Sequence, residues 1–305
     1  MDAGIIGRKV IKITNNLVNY VVLTIILLLI FLACYALWDS NYIHQAADKA
    51  NYAVYKPTVL NQGRSFMELQ ALNAEVIAWL CVYGTNIDYP VTQGLTNMKY
   101  VNTNAEGQYS LAGSIFLDCR NNSDFSDFNS ILYGHHMAKK VMFGEIDSFS
   151  EKAVFDSHRY GNLYFNEKDH GIEFFAFVQT DAYDSTVFMP NIQEDQCYDY
   201  LESLFAKALH IRDIAITAED HIVLLSTCSS RSTNGRDILV GKITNEVYEN
   251  SIIDLSINGG IEQPDLGKQN CFVKEIPIVI LLLALLLAIR LIIHIYDICH
   301  RHRYN

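Results

Sequence analysis

His221-Ile-Val-Leu-Leu-Ser-Thr-Cys228 and, eight residues past that cysteine, Arg236-Asp-Ile-Leu-Val-Gly-Lys-Ile243 are two apolar runs of strand length joined by a Ser-rich turn. Short apolar runs bounded by turn residues read as β-strands. A third run upstream, Ser130-Ile-Leu-Tyr133, ends in Gly134-His135-His136-Met137. A thiol, an imidazole and a guanidinium thus each stand at the edge of an expected strand. Together they are the groups that acyl transfer through cysteine needs. The thiolate attacks a carbonyl, the imidazole moves protons and the guanidinium steadies the oxyanion.

Working outward, the pattern stays mostly β. Asn86 to Gln93 reads as a strand, and Pro90 within it predicts an edge position. Gly113 to Asp118 is a further short strand. Tyr160 to Asn166 and Gly171 to Gln179 predict a hairpin. Helices are fewer. Ser65-Phe-Met-Glu68 resembles a capping box, and Phe66, Leu69, Leu72, Val76, Ile77 and Leu80 follow at helical spacing, with Gly84 ending the helix. Residues 39–61 read as a juxtamembrane helix and Met142 to Phe149 as a short one. Cys197, Tyr198, Leu201, Leu204, Phe205, Ala208 and Leu209 predict a helix between late strands. The expected fold is mainly β with added helices, a mixed barrel of short strands rather than a βαβ fold.

The ends of the chain set its compartment. No charge falls between Ile13 and Trp38, a length that spans a bilayer core of ~30 Å. Arg8, Lys9 and Lys12 precede it, so the positive-inside rule keeps the N-terminus in the cytoplasm. A second apolar stretch, 276–295, is followed by Arg301 and Arg303. The expected organisation is a basic cytoplasmic N-terminus (1–16), an anchor (17–37), an extracellular domain (38–274), a second transmembrane helix (276–295) and a basic cytoplasmic tail (296–305). A cleaved signal peptide would give a similar first stretch. Phe31-Leu-Ala-Cys34 faintly resembles a lipoprotein cleavage box, but Leu32 is larger than that position usually allows.

Composition narrows the partners. The formal net charge of the 305-residue chain is −11, and the segment 38–274, without the six basic residues at the two ends, is more acidic still, at −14. Nucleic acid is therefore not an expected partner. The seven cysteines include no C-x-x-C pair, which gives no support to a zinc ribbon or a thioredoxin motif. Cys81 and Cys119 read as small buried hydrophobes. His135 and His136 could be a ligand pair, but no further ligands at matched spacing accompany them, so no metal or other cofactor is expected.

Four segments together resemble a family. Ile87-Asp-Tyr-Pro-Val-Thr-Gln93, Gly113-Ser-Ile-Phe-Leu-Asp118, Tyr133-Gly-His-His-Met137 with Met142-Phe143, and Leu225-Ser-Thr-Cys228 with Arg236 resemble, in order, the class B sortases. These are membrane-anchored cysteine transpeptidases of Gram-positive bacteria, and the resemblance covers about residues 64–245. It implies an eight-stranded sortase-type β-barrel with N-terminal helices. It also implies one helix inserted between late strands, at about 193–209. The family's catalytic trio would fall on His135, Cys228 and Arg236. Arg231, in the Ser-rich loop, is the second choice for the arginine. Ser226, Thr227, Tyr133 and Asn86 are the implied substrate-binding residues.

The implied reaction cleaves a C-terminal sorting signal of secreted proteins after Thr, through a thioester. The acyl group then passes to an amine, either a peptidoglycan cross-bridge or a pilin Lys. Two departures from the family pattern stand out. Leu224 takes a position where the family usually has Thr. Class B members also usually lack a C-terminal span, whereas many pilin-polymerising sortases have one; those commonly carry an Asp-Pro-aromatic lid, which residues 39–65 do not contain. A pilin-polymerising sortase, a cysteine hydrolase and a non-catalytic membrane-anchored binding module remain alternatives.

Overall fold

The computed structural model describes residues 3–58, 63–229 and 233–250. The stretch 276–295, the basic tail and Arg231 lie outside the described residues. The chain divides into two compact units, one holding residues up to Asn41 and the other beginning at Tyr42.

The first unit is built on helix α1 (Ala3–Ala46). Its segment Val10–Ala46 is long and apolar enough to cross a membrane. Thr24 is tolerated inside the apolar stretch because its hydroxyl donates to the Tyr20 carbonyl one turn back, at 2.8 Å. The juxtamembrane helix expected over 39–61 is shorter than that: α1 stops at Ala46 and two 3-10 turns follow, Lys49–Asn51 and Ala53–Tyr55.

The second unit holds α2 (Arg64–Leu72), β1 (Val76–Val82), β2 (Asp88–Thr92), β3 (Ile115–Leu117), β4 (Asn129–Tyr133), α3 (Lys152–Ser157), β5 (Tyr160–Phe165), β6 (Lys168–Asp181), α4 (Cys197–Phe205), β7 (Ala208–Ile211), β8 (His221–Cys228) and β9 (Gly235–Thr244). Neighbours run in the order β5-β1-β2-β3-β4-β8-β9-β6, and a β5–β6 pairing closes the ring. The result is the eight-stranded barrel that the resemblance implies. A ninth strand, β7, lies outside it on the far half of β6. Two pairings, β2–β3 and β4–β8, are parallel and the rest antiparallel.

Burial on both faces explains the near-continuous apolar run of β8. Val223 and Leu225 face the barrel interior with Leu80, Leu117, Leu132, Phe177 and Leu239. Ile222 and Leu224 face outward, beside Ile131, Ile238 and Val240, under the Tyr200, Leu201 and Leu204 side of α4. A strand covered on both faces keeps no polar alternation. Leu204 is fully buried, which contributes roughly 2 kcal/mol. The register between β6 and β9 shifts between Phe174 and Ala176. That bulge lets Phe175 and Ala176 both join the outer cluster while Phe174 and Phe177 stay inside.

Several sequence expectations need correction. Val76 to Val82 is a strand, not the continuation of α2. The chain turns extended at Asn73, and Val76, Ala78, Leu80 and Val82 then alternate into the core. The start of α2 has no capping box, since its N-cap is Gly63 at φ 74°. Pro90 sits in an interior strand rather than at an edge. Pairing of β2 with β3 begins only at Val91, so no β3 carbonyl waits for a Pro90 N–H. Residues 208–211 leave the helix to form β7. The short helix expected over 142–149 is a 3-10 turn at Ile146–Ser150, followed by α3. Met142 itself has φ 53°, outside helical space.

Candidate active site

The central strands fix the site. In the parallel β4–β8 ladder Leu132 faces Leu225 and Tyr133 faces Ser226. The ladder continues past the end of β4: Gly134 N–H donates to the Ser226 carbonyl at 3.2 Å, and the Thr227 hydroxyl donates to the Gly134 carbonyl at 2.8 Å. His135 lies two residues beyond Tyr133, and Cys228 two beyond Ser226. On the other side of β8, Cys228 is the direct antiparallel partner of Arg236 on β9. Cys228 and Arg236 therefore face each other across β8 and β9, and His135 lies two residues past the end of β4, the strand on the other side of β8. Directly opposed residues have Cβ atoms about 5 Å apart. Alternation puts Cys228 on the outward face with Leu224 and Ser226, past the end of the α4 cover, and Cys228 is exposed.

The loop after β4 sorts the two histidines. His135 Nε2 lies 2.9 Å from the Val101 carbonyl oxygen, which can only accept, so this nitrogen carries a hydrogen. His136 Nε2 is 3.1 Å from Asp147 Oδ2. The adjacent rings thus engage different partners, and His136 is held in an ion-pairing position of its own. Two glycines allow this geometry. A Cβ on Gly134 would come within 2.6 Å of the ring of Phe143, whose own N–H donates to the His135 carbonyl at 3.1 Å. Gly113 has φ 61°, and a Cβ there would meet the Tyr100 and Val101 carbonyls at 2.6 Å. Those carbonyls include the one that orients His135.

The expected pocket residues divide. Tyr133 sits on the outward face between Phe116 and Phe188, with ring centroids 5.4 and 6.2 Å away. Burial and the neighbouring Asp118 carboxylate push its hydroxyl well above the usual range, so it keeps its proton and donates a hydrogen bond to Asp118 at 3.0 Å. Ser226 and Thr227 are both buried. Thr227 spends its hydroxyl on the Gly134 carbonyl, and so shapes the site from behind. Asn86 is not brought to this group. It lies in the β1–β2 turn, where its backbone N–H donates to the Glu145 carboxylate at 2.5 Å.

Among the other cysteines, Cys81 is screened by burial, which pushes its thiol up to about 12. Cys197 is buried. Cys119 is exposed, contrary to expectation, because it follows β3 in a surface turn whose N–H is taken by the Asn97 side chain. Among the described residues no group of three or more His, Cys, Asp or Glu side chains is placed to hold a metal ion.

Sequence reading missed Asp118 and Arg120 as site residues. Asp118 is fully buried at the end of β3 and pairs with Arg120 at 2.8 Å. Burial acts to raise its carboxyl. The Arg120 guanidinium and the Tyr133 hydroxyl outweigh that and hold it below the usual carboxylate range. The signal available was a charged Asp closing the apolar run Ile115-Phe-Leu117, followed two residues later by Arg.

Comparison with known proteins places this geometry. No family model matches the chain. Sortase B of Staphylococcus aureus is 31% identical over 183 residues, covering 58% of this chain and 74% of that protein. Sortase B of Listeria monocytogenes is 31% identical over 180 residues, covering 58% and 72%. Among solved structures, sortase B from the type II pilus of Streptococcus pneumoniae shares 47% identity with a TM-score of 0.52, covering 59% of this chain and 98% of that one. A Streptococcus pyogenes class B sortase involved in pilus biogenesis shares 43% with a TM-score of 0.55, covering 60% and 99%.

Proposed function

The chain belongs to the class B sortases, and on that premise we propose that it joins secreted proteins to an amine through a thioester on Cys228. It is a cysteine transpeptidase. In the proposed reaction the Cys228 thiolate attacks the carbonyl of a Thr in a C-terminal sorting signal, and a C–S bond forms. As the tetrahedral intermediate collapses, the C–N bond breaks and His135 gives its proton to the leaving amine. The acceptor amine then loses a proton to His135, attacks the thioester carbonyl and expels the thiolate. Arg236 donates hydrogen bonds to the oxyanion or substrate backbone, a task suited to a planar, permanently charged guanidinium. The observation that supports this reading best is the direct pairing of Cys228 with Arg236 across β8 and β9, with His135 just past the end of the neighbouring β4.

A pilin Lys is favoured over a peptidoglycan cross-bridge as the amine. The two pilus-associated relatives share 47% and 43% identity with this chain, against 33% for the Clostridium perfringens sortase B structure and 27% for the S. aureus sortase B–substrate complex. The test supplies the full-length enzyme with a sorting-signal substrate and both acceptors. Ligation to the pilin Lys is the expected outcome. Joining to the cross-bridge amine alone would reverse the choice, and release to water alone would make the protein a hydrolase.

The proposed setting is the cell membrane, with α1 as a retained anchor, a second span at 276–295, and both termini in the cytoplasm. Protease added to intact cells should digest the central domain and spare a tag placed after Asn305. Loss of that tag would show that the second stretch does not cross.

A further inference from the structure

Beside the Cys228 level, one buried carboxylate organises the neighbouring surface. Asp118 accepts from Arg120 Nε at 2.9 Å and Nη2 at 2.8 Å, from the Tyr133 hydroxyl at 3.0 Å and from Asn97 Nδ2 at 3.1 Å. The Arg120 backbone N–H adds a fifth bond, at 3.0 Å. A carboxylate taken from water must be compensated in this way, and here both oxygens are saturated. Asp118 therefore serves as an anchor and is not itself open to a ligand. It grips the Nε–Nη2 edge of the Arg120 guanidinium; on the outer edge Nη2 also donates to the Phe188 carbonyl at 3.5 Å, which leaves Nη1. The Nη1 group makes no protein hydrogen bond among the described residues, and half of the side chain (51%) is exposed.

That outer edge lies on a cleft of about 320 Å³ shared by Arg120, Tyr133, Asp184, Ser185, Phe188 and Arg236. Its charges do not cancel. Asp118 neutralises Arg120, and Lys207, 2.5 Å from Asp184, neutralises that carboxylate. Asp184 is further occupied by the Thr180 and Thr186 hydroxyls. Among the described residues no carboxylate pairs with Arg236, so its charge is left over, in a chain whose formal net charge is −11. Tyr133 and Phe188 give the cleft an aromatic wall. Because Arg236 is the strand partner of Cys228, anything bound here sits within a few residues of the reacting carbonyl.

We propose that Arg120 is a specificity-determining residue of the acyl transfer, presenting its Nη1 edge beside Arg236 to a carboxylate of the substrate in this cleft. The proposal rests on the acyl-transfer reading of Cys228. The carboxylate belongs either to an acidic side chain near the cleaved bond of the sorting signal or to a group beside the acceptor amine. A guanidinium already fixed by Asp118 loses little further freedom when it binds, and charge-assisted N–H···O bonds from Nη1 and Arg236 favour a carboxylate over its amide.

The test uses the full-length enzyme and paired peptides. In one arm the sorting peptide carries Glu or Gln at each position flanking the cleaved bond. In the other the acceptor carries a carboxylate or the matching amide. The wild type should prefer the carboxylate by about tenfold in kcat/KM in one arm, the scale of a charge-assisted hydrogen bond. The difference should lie in KM with kcat alike, and the arm that shows it identifies the source. Arg120→Gln should bring the ratio to within about twofold, and Arg120→Lys should restore only part of it. Both members of a pair are read on one preparation, so the ratio does not depend on the fraction folded. A ratio near one for the wild type in both arms would overturn the proposal. So would a wild-type ratio retained in both variants, even with lower turnover, since that would make Arg120 merely structural. Failure of the wild type to turn over any peptide would instead remove the acyl-transfer reading, and this proposal with it.

Discussion

Replacing Cys228 with alanine should abolish cleavage and ligation together, with turnover of a sorting peptide falling to background. Both half-reactions pass through the same C–S bond, so no partial activity survives loss of the sulfur. The fold should be unaffected. Cys228 is exposed at the last position of β8, past the residues packed under α4, and its removal opens no core cavity. Near-normal turnover by the variant would end the transpeptidase mechanism proposed for this site. Loss of folded protein would instead mean that Cys228 is structural. The other exposed cysteine of the barrel domain, Cys119, is the natural control. Cys119→Ala should leave cleavage intact.

The second large effect concerns the histidines. His135→Ala should lower turnover by at least ~10²-fold, the usual scale for a positioned general acid–base. His136→Ala should cost far less. The structure gives the neighbours different surroundings. His135 is oriented by the Val101 carbonyl just past the end of β4, whereas His136 is turned to Asp147. A steady-state comparison of the two variants decides between them, and the opposite ranking would show that the wrong ring has been assigned. An added test of orientation is Gly113→Ala, which would push on the carbonyls of Tyr100 and Val101 and so disturb His135 without removing it.

The parts of the fold that were legible in the sequence are those with one dominant signal. β8 and β9 announce themselves as apolar runs at the centre of the barrel. The β5–β6 hairpin is legible because Asn166 and Glu167, both at positive φ, close a two-residue turn between strong strands. The α4 stripe is legible because Cys197, Leu201 and Leu204 repeat at helical spacing and are buried; Tyr198, counted with them, is exposed, and the buried Tyr200 was missed. β1 was misread because Val76, Ile77 and Leu80 satisfy helical spacing as well as strand spacing. Only the barrel, by burying Ala78 and Val82 as well, decides for period two. β7 carries no signal of its own. It is four residues, Leu209 and Ile211 of them exposed, that gain a ladder only because β6 extends beyond the ring.

The site shows the same division. Cys228 and Arg236 stand at strand ends and His135 just past one, and motif and order alone suffice to propose them. Asn86 came from the same kind of reasoning, yet its turn is tied to Glu145, because proximity in a motif says nothing about which end of a strand faces the site. Asp118 and Arg120 were passed over for the converse reason. A Leu-Asp-Cys-Arg sequence reads as a polar turn until the depth of the carboxylate and its donors are known.

The central claim is that a sorting signal is carried as a thioester on Cys228. The most direct measurement mixes the full-length wild-type enzyme with a sorting-signal substrate in the absence of any acceptor amine, quenches in acid and maps the acylated residue by mass spectrometry. The account predicts one adduct, on Cys228, cleaved at the Thr of the signal, discharged by added amine and absent from Cys228→Ala. An adduct on another residue, or steady cleavage with no adduct on Cys228, would contradict it.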